Sequence, residues 1–300
     1  MATASWIEPP ARFLDLERVQ TEGHDRQAVL AVDRLWLSGE QGRLRFTAGR
    51  QPVGFGAGLF WAPTDVVCPV SPREPDREVR PGSDALRLLW SPDPLAILGA
   101  VWAPERGGKG GSLLGHARFP AGPAELFVIG GLVHQRRMLG GSAVGEASGT
   151  GLRLEGRVLE ERAGKGSRSW AVAVTGGFDR RFQGGTRLAV EALWNGAGAG
   201  EPRDYPGLLS REDFRWGLVP FLGRRHLLGR ASRQIHPLLE GSLEIHLNLD
   251  DGSWLLWPTL GISLADSLTL SLFALLPQGE GLEEHGLSPQ SAGVRLTASF

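Results

Sequence analysis

Apolar and polar residues alternate along most of this chain, and that alternation predicts strands rather than helices. In SLEIHLNLDDGS, Leu243, Ile245, Leu247 and Leu249 share one parity while Ser242, Glu244, His246 and Asn248 share the other. RLRFTAG sets Leu44, Phe46 and Ala48 against Arg43, Arg45 and Thr47. GLRLEGRV sets Leu152, Leu154, Gly156 and Val158 against Arg153, Glu155 and Arg157. The segments SLTLSLFA and SAGVRLTASF obey the same rule. Read end to end, the pattern predicts about fifteen strands, near 29–37, 43–50, 84–91, 95–103, 112–119, 125–133, 138–146, 151–160, 168–178, 186–194, 226–235, 241–250, 254–264, 267–276 and 291–300. Two of these, 125–133 and 138–146, are apolar or glycine-rich on both faces.

Most of these segments exceed the ~5–6 residues of an ordinary globular strand and match the ~9–11 that a tilted strand needs to cross a bilayer. Their connections alternate in length. The long ones, 51–83 and 195–225, share a parity with PERGGKGG, EERAGKGS and PQGEGLEEHGLSPQ, whereas SGEQGR, SPDP, HPLLE and ADS occupy the other; only DDGS is short on the long side. Membrane barrels place short turns on one side and long loops on the other. Tryptophan follows suit: Trp36 and Trp90 fall at predicted strand ends beside short turns, and Trp102, Trp170, Trp194, Trp254 and Trp257 beside long loops, as interfacial girdles require. A soluble β protein with scattered core tryptophans is the competing reading, and the single tyrosine, Tyr205, speaks for it.

Composition narrows the picture further. The 43 glycines and 20 prolines suit many strands and turns. A net charge of −1 offers no general attraction to nucleic acid or anionic lipid. The single cysteine, Cys68, excludes an intrachain disulfide framework and a thiolate metal cluster. No apolar run approaches the ~20 residues of a membrane helix, and MATASWIEPPARF lacks the basic start and apolar core of a secretory signal. The expectation is an all-β chain: a transmembrane antiparallel up-and-down β-barrel of about 14–16 strands over 28–300, with 1–27 as an N-terminal extension or the remnant of a strand. Single-chain bacterial barrels have even strand numbers. An odd count therefore predicts either an N-terminal truncation that removes a strand or a miscounted strand around 125–146.

GRQPVGFGAGLFWAPTDVVCPVSP, from Gly49, resembles a motif of a porin-like group of Gram-negative outer-membrane β-barrel proteins. In that group an Arg-Gln pair ending one strand leads into a glycine-rich aromatic loop and then a W-x-P-T-D turn. The matching residues are Arg50, Gln51, Gly56, Gly58, Trp61, Pro63, Thr64 and Asp65; Phe55 stands where the group has Trp and Ala62 where it has Asn. The resemblance runs loosely from Asp33 to Phe300. It implies a barrel in the bacterial outer membrane and no settled substrate. It also implies that the last strand, with Ala292, Val294, Leu296, Ala298 and Phe300 on one parity, is the insertion signal read by the barrel-assembly machinery.

If the apolar parity meets lipid, the other parity lines a lumen. Arg43, Arg45, Arg87, Arg118, Arg153, Arg157, Arg187, Arg230 and Arg295 fall there against Glu155, Glu191 and Glu244. That excess of cations predicts an anion-leaning pore for small polar solutes. The competing expectation is that these arginines pair with loop carboxylates and plug the lumen. The long connection that starts at Arg50 is expected to fold inward as a constriction, with Arg50 and Trp61 among its residues, Thr64 capping its turn and Asp65 bonding a wall arginine. The 195–225 connection and the EEHG segment at Glu283–Gly286 read as solvated.

Catalytic patterns are thin. Neither AGKGS nor GGKGGS completes a phosphate-loop spacing, the seven histidines are spread out with no H-x-x-x-H pair, and His116, Ser142 and Glu146 are no more than conceivable partners for a hydrolase at one rim. No enzyme, cofactor or metal is expected. The alternative to a channel is a structural or assembly barrel sheathing a partner protein.

Overall fold

The computed structural model describes residues 12–23, 26–72, 80–105, 111–163 and 167–298. Two short strands, β1 (Glu17–Gly23) and β2 (Arg26–Ala31), pair as a separate hairpin. Fifteen more form one sheet: β3 (Leu35–Gln41), β4 (Leu44–Gln51), β5 (Ser83–Asp93), β6 (Ala96–Pro104), β7 (Gly111–Ala121), β8 (Ala124–Val133), β9 (Arg136–Ala147), β10 (Thr150–Ala163), β11 (Ser167–Arg181), β12 (Arg187–Asn195), β13 (Arg225–His236), β14 (Leu239–Asn248), β15 (Trp254–Ala265), β16 (Leu268–Gln278) and β17 (Ser291–Ala298). Each strand pairs antiparallel with its sequence neighbours, so the sheet is one continuous meander. No helix among the described residues is long and apolar enough to cross a membrane.

Every predicted strand from 43–50 onward overlaps one of β4 to β17. The strand expected over 29–37 does not form as a unit. Its first half belongs to β2, outside the sheet, and its second half opens β3. Val32 N bonds Leu16 O, the Val32 carbonyl accepts from Arg50 and the Asp33 carboxylate accepts from Arg12, so the segment between the two strands is tied up outside the fifteen-stranded ladder.

Parity separates two faces. Leu86, Leu88, Trp90, Leu98, Leu113, Val128, Leu152, Leu154, Val172 and Leu243 are exposed on the outer face. A continuous apolar belt of this kind is what a soluble protein avoids and a lipid-facing wall requires. Trp90 ends this face beside a short turn, and Trp102, Trp170, Trp194 and Trp254 lie on it near the opposite end. Trp257 departs from the expected girdle: it sits on the inward parity and is buried. Trp36 also lies on the inward parity, at the long-loop end of β3, because that strand begins later than the pattern implied.

The inward face is graded along its length. On β12 it runs from exposed Arg187 through half-buried Ala189 to buried Glu191, Leu193 and Asn195. Descending β13 runs the other way, from buried His226 and Leu228 to exposed Arg230. The buried half lies at the end carrying the long connections, and residues 53–66, 196–224 and 279–290 of these turn inward and fill it. Val53, Phe55 and Val66 pack against inward Val101, Leu114, Phe127, Ile129, Met138 and Leu159, and against Leu218 of the second connection. Phe60 and Trp61 pack against Ala173, Leu193, Phe221 and Leu228. The second connection carries two short helices, α1 (Tyr205–Leu209) and α2 (Glu212–Arg215), and has a small core of Tyr205, Leu208, Phe214, Val219 and Leu222. This explains why β8 and β9 looked apolar on both faces: one meets the outside and the other meets the in-folded connections. The expectation of a solvated 195–225 segment is thereby corrected.

Candidate functional site

The first in-folded connection is held by its backbone on two wall carboxylates. Glu155 on β10 accepts Thr64 N at 2.8 Å and Thr64 Oγ1 at 2.7 Å on one oxygen, and Gly58 N at 2.9 Å together with Ala57 N on the other. Glu191 on β12 accepts Leu59 N at 2.6 Å, Trp61 N at 3.2 Å and Phe60 N at 3.3 Å. Both side chains are almost fully buried, and consecutive N–H groups aimed at one anion form a concave nest that compensates the burial of its charge. The nest depends on Gly56, whose φ of 90° is open to glycine and whose Cβ would stand 2.5 Å from a Glu155 oxygen. Gly140 on β9 is bare for a related reason, since a Cβ there would come within 2.8 Å of the Thr64 methyl.

Arg157, two residues along β10, joins the two connections. Its guanidinium donates to Pro63 O at 2.8 Å and to Leu218 O, and lies 5.4 Å from the Trp61 ring centre. The third connection is locked in through Glu284, which accepts Leu222 N at 2.9 Å, Gly223 N at 3.2 Å and Asn248 Nδ2 at 2.8 Å and pairs with His226 at 2.9 Å. Asn248 also reaches Tyr205 OH at 3.0 Å. Burial holds the Tyr205 hydroxyl above its ordinary range, so it remains a neutral partner. Glu284 and His285 are buried, which corrects the reading of EEHG as a solvated tip.

Expected constriction residues divide. Trp61 and Thr64 lie in the in-folded segment. Asp65 lies there too, but its carboxylate pairs with Arg80 of the same connection and accepts Phe55 N at 3.3 Å, not a wall arginine. Burial pushes the Asp65 carboxyl up to about 6, with Arg80 opposing the shift. Arg50 is not in the lumen. It shares the outward parity of Leu44 and Phe46 at the long-loop rim, bonds Asp84 at 2.9 and 3.1 Å, and donates to Val32 O and Leu14 O.

The remaining predicted lining residues occupy the unfilled half or its border. Arg45 pairs with Glu40, Arg118 with Glu125 at 3.6 Å and Arg153 with Asp179 at 3.0 Å, three carboxylate partners that parity alone did not single out. Arg87, Arg187, Arg230 and Arg295 share that inward parity, and Arg230 Nη2 reaches Ser242 Oγ at 3.5 Å. Arg43 instead sits beside the β3–β4 turn and donates to Pro92 O. Glu244 lies at the buried border and bonds His246 at 2.6 Å. On β17, Val294 and Leu296 face outward; Phe300 lies outside the described residues. His116 does not meet Ser142 or Glu146 in a hydrogen bond: its ring packs between Phe55 and Phe127 and neither nitrogen has a partner. No cluster of metal-ligating side chains occurs among the described residues.

An antiparallel meander with an apolar outer face and connections folded against its inner face has the form of an outer-membrane β-barrel. Solved structures agree. The chain is similar to OccK11 (OpdR) of Pseudomonas aeruginosa at 11% identity, covering 90% of this chain and 78% of that one with a TM-score of 0.56. It is similar to a BenF-like porin from Pseudomonas fluorescens Pf-5 at 9% identity, covering 92% and 76% with a TM-score of 0.56. OccAB2 of Acinetobacter baumannii matches at 11% identity over 87% and 74%, with a TM-score of 0.55. No family model and no curated protein matches the sequence. The fold is therefore that of the outer-membrane porins.

Proposed function

We propose that the protein is a porin-like channel of the bacterial outer membrane for small polar solutes, narrowed where residues 53–66 cross the lumen. The observation that carries this reading is the pair of wall carboxylates, Glu155 and Glu191, committed to holding a connection inside the barrel. A loop folded across a barrel narrows a passage, and the arginines on the open side of it give the passage its charge. Arg87, Arg187 and Arg230 are in no ion pair with a carboxylate among the described residues, which favours anions over cations. The outward row Ala292, Val294, Leu296 and Ala298 supports reading β17 as the strand that the barrel-assembly machinery recognises.

Reversal potentials in planar bilayers under a salt gradient test the charge preference. The expected sign is that of anion selectivity, falling toward zero when Arg87, Arg187 and Arg230 are all replaced by serine. Clear cation selectivity in the unmodified protein would overturn it.

A further inference from the structure

Toward the short turns, the outward parity of the wall is almost free of charge. In the regular ladders of that half, among the described residues, only two outward positions are charged: Arg180 on β11 and Arg233 on β13. Asp93 lies beyond the irregularity in the β5–β6 ladder. Arg180 stands opposite Thr150, one outward step past the pair Leu152 and Phe178. Arg233 stands opposite Gly241, one outward step past Ala231 and Leu243. A single strand separates the two arginines, and its register runs straight across from Arg180 through Leu188 to Ala231. With ~4.8 Å between strands and ~3.4 Å per residue, their Cα atoms stand about 12 Å apart on the wall. Two arginine side chains can close that span on one anion.

Neither arginine has found such an anion within the protein. Both are exposed, and neither makes a hydrogen bond or an ion pair among the described residues. Arg180 lies instead 5.7 Å from the ring centre of Phe182. Its sequence neighbour Asp179 is on the inward parity and pairs with Arg153. Around the two arginines, Phe178, Phe182, Ile235 and Leu238 are exposed as well. An arginine among apolar side chains at the edge of a lipid-facing belt lays its stem on the belt and holds its head at the polar boundary. The lumen arginines occupy the other parity, so a solute in the passage does not reach this pair. A net charge of −1 conceals the local excess.

We propose that Arg180 and Arg233 form a docking site for the phosphate headgroup of one anionic phospholipid, in the leaflet on the short-turn side of the membrane. Its chains run along outward Leu188 and Val190 of β12, between the two arginine-bearing strands. The proposal rests on the barrel fold and not on the channel reading, so bilayer conductance does not decide it.

Native mass spectrometry of the protein in detergent micelles doped with phosphatidylglycerol or phosphatidylcholine tests it. The unmodified protein is expected to retain one phosphatidylglycerol and no phosphatidylcholine. Arg180→Gln combined with Arg233→Gln is expected to weaken that retention on the order of ten- to thirty-fold. Both side chains are exposed and unpaired among the described residues, so this variant folds. A charge-matched control, Arg181→Gln with Arg187→Gln, removes two arginines from the inward parity of the same hairpin and is expected to keep the lipid. Equal retention of the two lipids, unchanged retention in the outward variant, or equal loss in the control would each overturn the proposal. So would displacement of phosphatidylglycerol by inorganic phosphate or a polyglutamate peptide at equal concentration, which would assign the pair to a free anion or an acidic polypeptide.

Discussion

Arg50 shows how far a single residue departs from what its motif suggests. Its parity with Leu44, Phe46 and Ala48 already turned it away from the lumen, and only the loop that follows it in sequence argued otherwise. What the sequence could not show is the cover. Leu14 and Val32, far away along the chain, lay their carbonyls on the guanidinium and Asp84 closes it with two bonds. The side chain is fully buried. Arg50→Ala leaves Asp84 buried without its cation and is expected to cost about 3–5 kcal/mol, read as a large drop in melting temperature in detergent, while single-channel conductance of the folded fraction stays unchanged. Asp65 behaves differently. Its folded-state value of about 6 lies above the ~3.9 of an unfolded aspartate, so the folded chain holds this proton more tightly. The resulting stabilisation is complete below about pH 4 and disappears as the pH rises through about 6. Melting temperatures across that window are expected to lose this component in Asp65→Asn, which keeps an oxygen for Phe55 N.

At the scale of elements, the strands were legible because a wall between lipid and lumen imposes period 2 on every segment. The in-folded connections were not. Loop 51–72 revealed its destination only through a motif, and 196–224 and 279–290 carry enough charge to read as solvated. That charge is internal: Arg211 bonds Asp213 and Glu161, Arg136 reaches Asp213 at 3.5 Å and lies 5.3 Å from the Trp216 ring, and Glu284 is buried among backbone donors. Glutamates at 155 and 191 were legible as inward, but not as anchors, because their partners are backbone N–H groups that any sequence supplies. The three connections pack into one unit, and Cys68 reports on it. Its thiol is buried, donates to Pro81 O at 3.0 Å and is pushed up to about 12 by desolvation. Maleimide labelling of the native protein is expected to be slow. Combining Glu155→Gln with Glu191→Gln weakens the nest and should accelerate labelling several-fold, whereas an unchanged rate would show that the carboxylates do not hold the connection in place.

On the scale of the molecule, a lipid-facing wall and a filled half-lumen follow from one division of labour along the strands. Outward residues are apolar across the middle of the wall. Inward residues are apolar or nest-forming where connections enter, and arginine-rich where they do not. In the proposed channel, residues 53–66 set the width of the passage. Single-channel recording of a variant lacking residues 55–70 tests it most directly. The expected conductance is several-fold above that of the unmodified protein; a conductance equal to it, or no conductance in either, would show that these residues do not set the width.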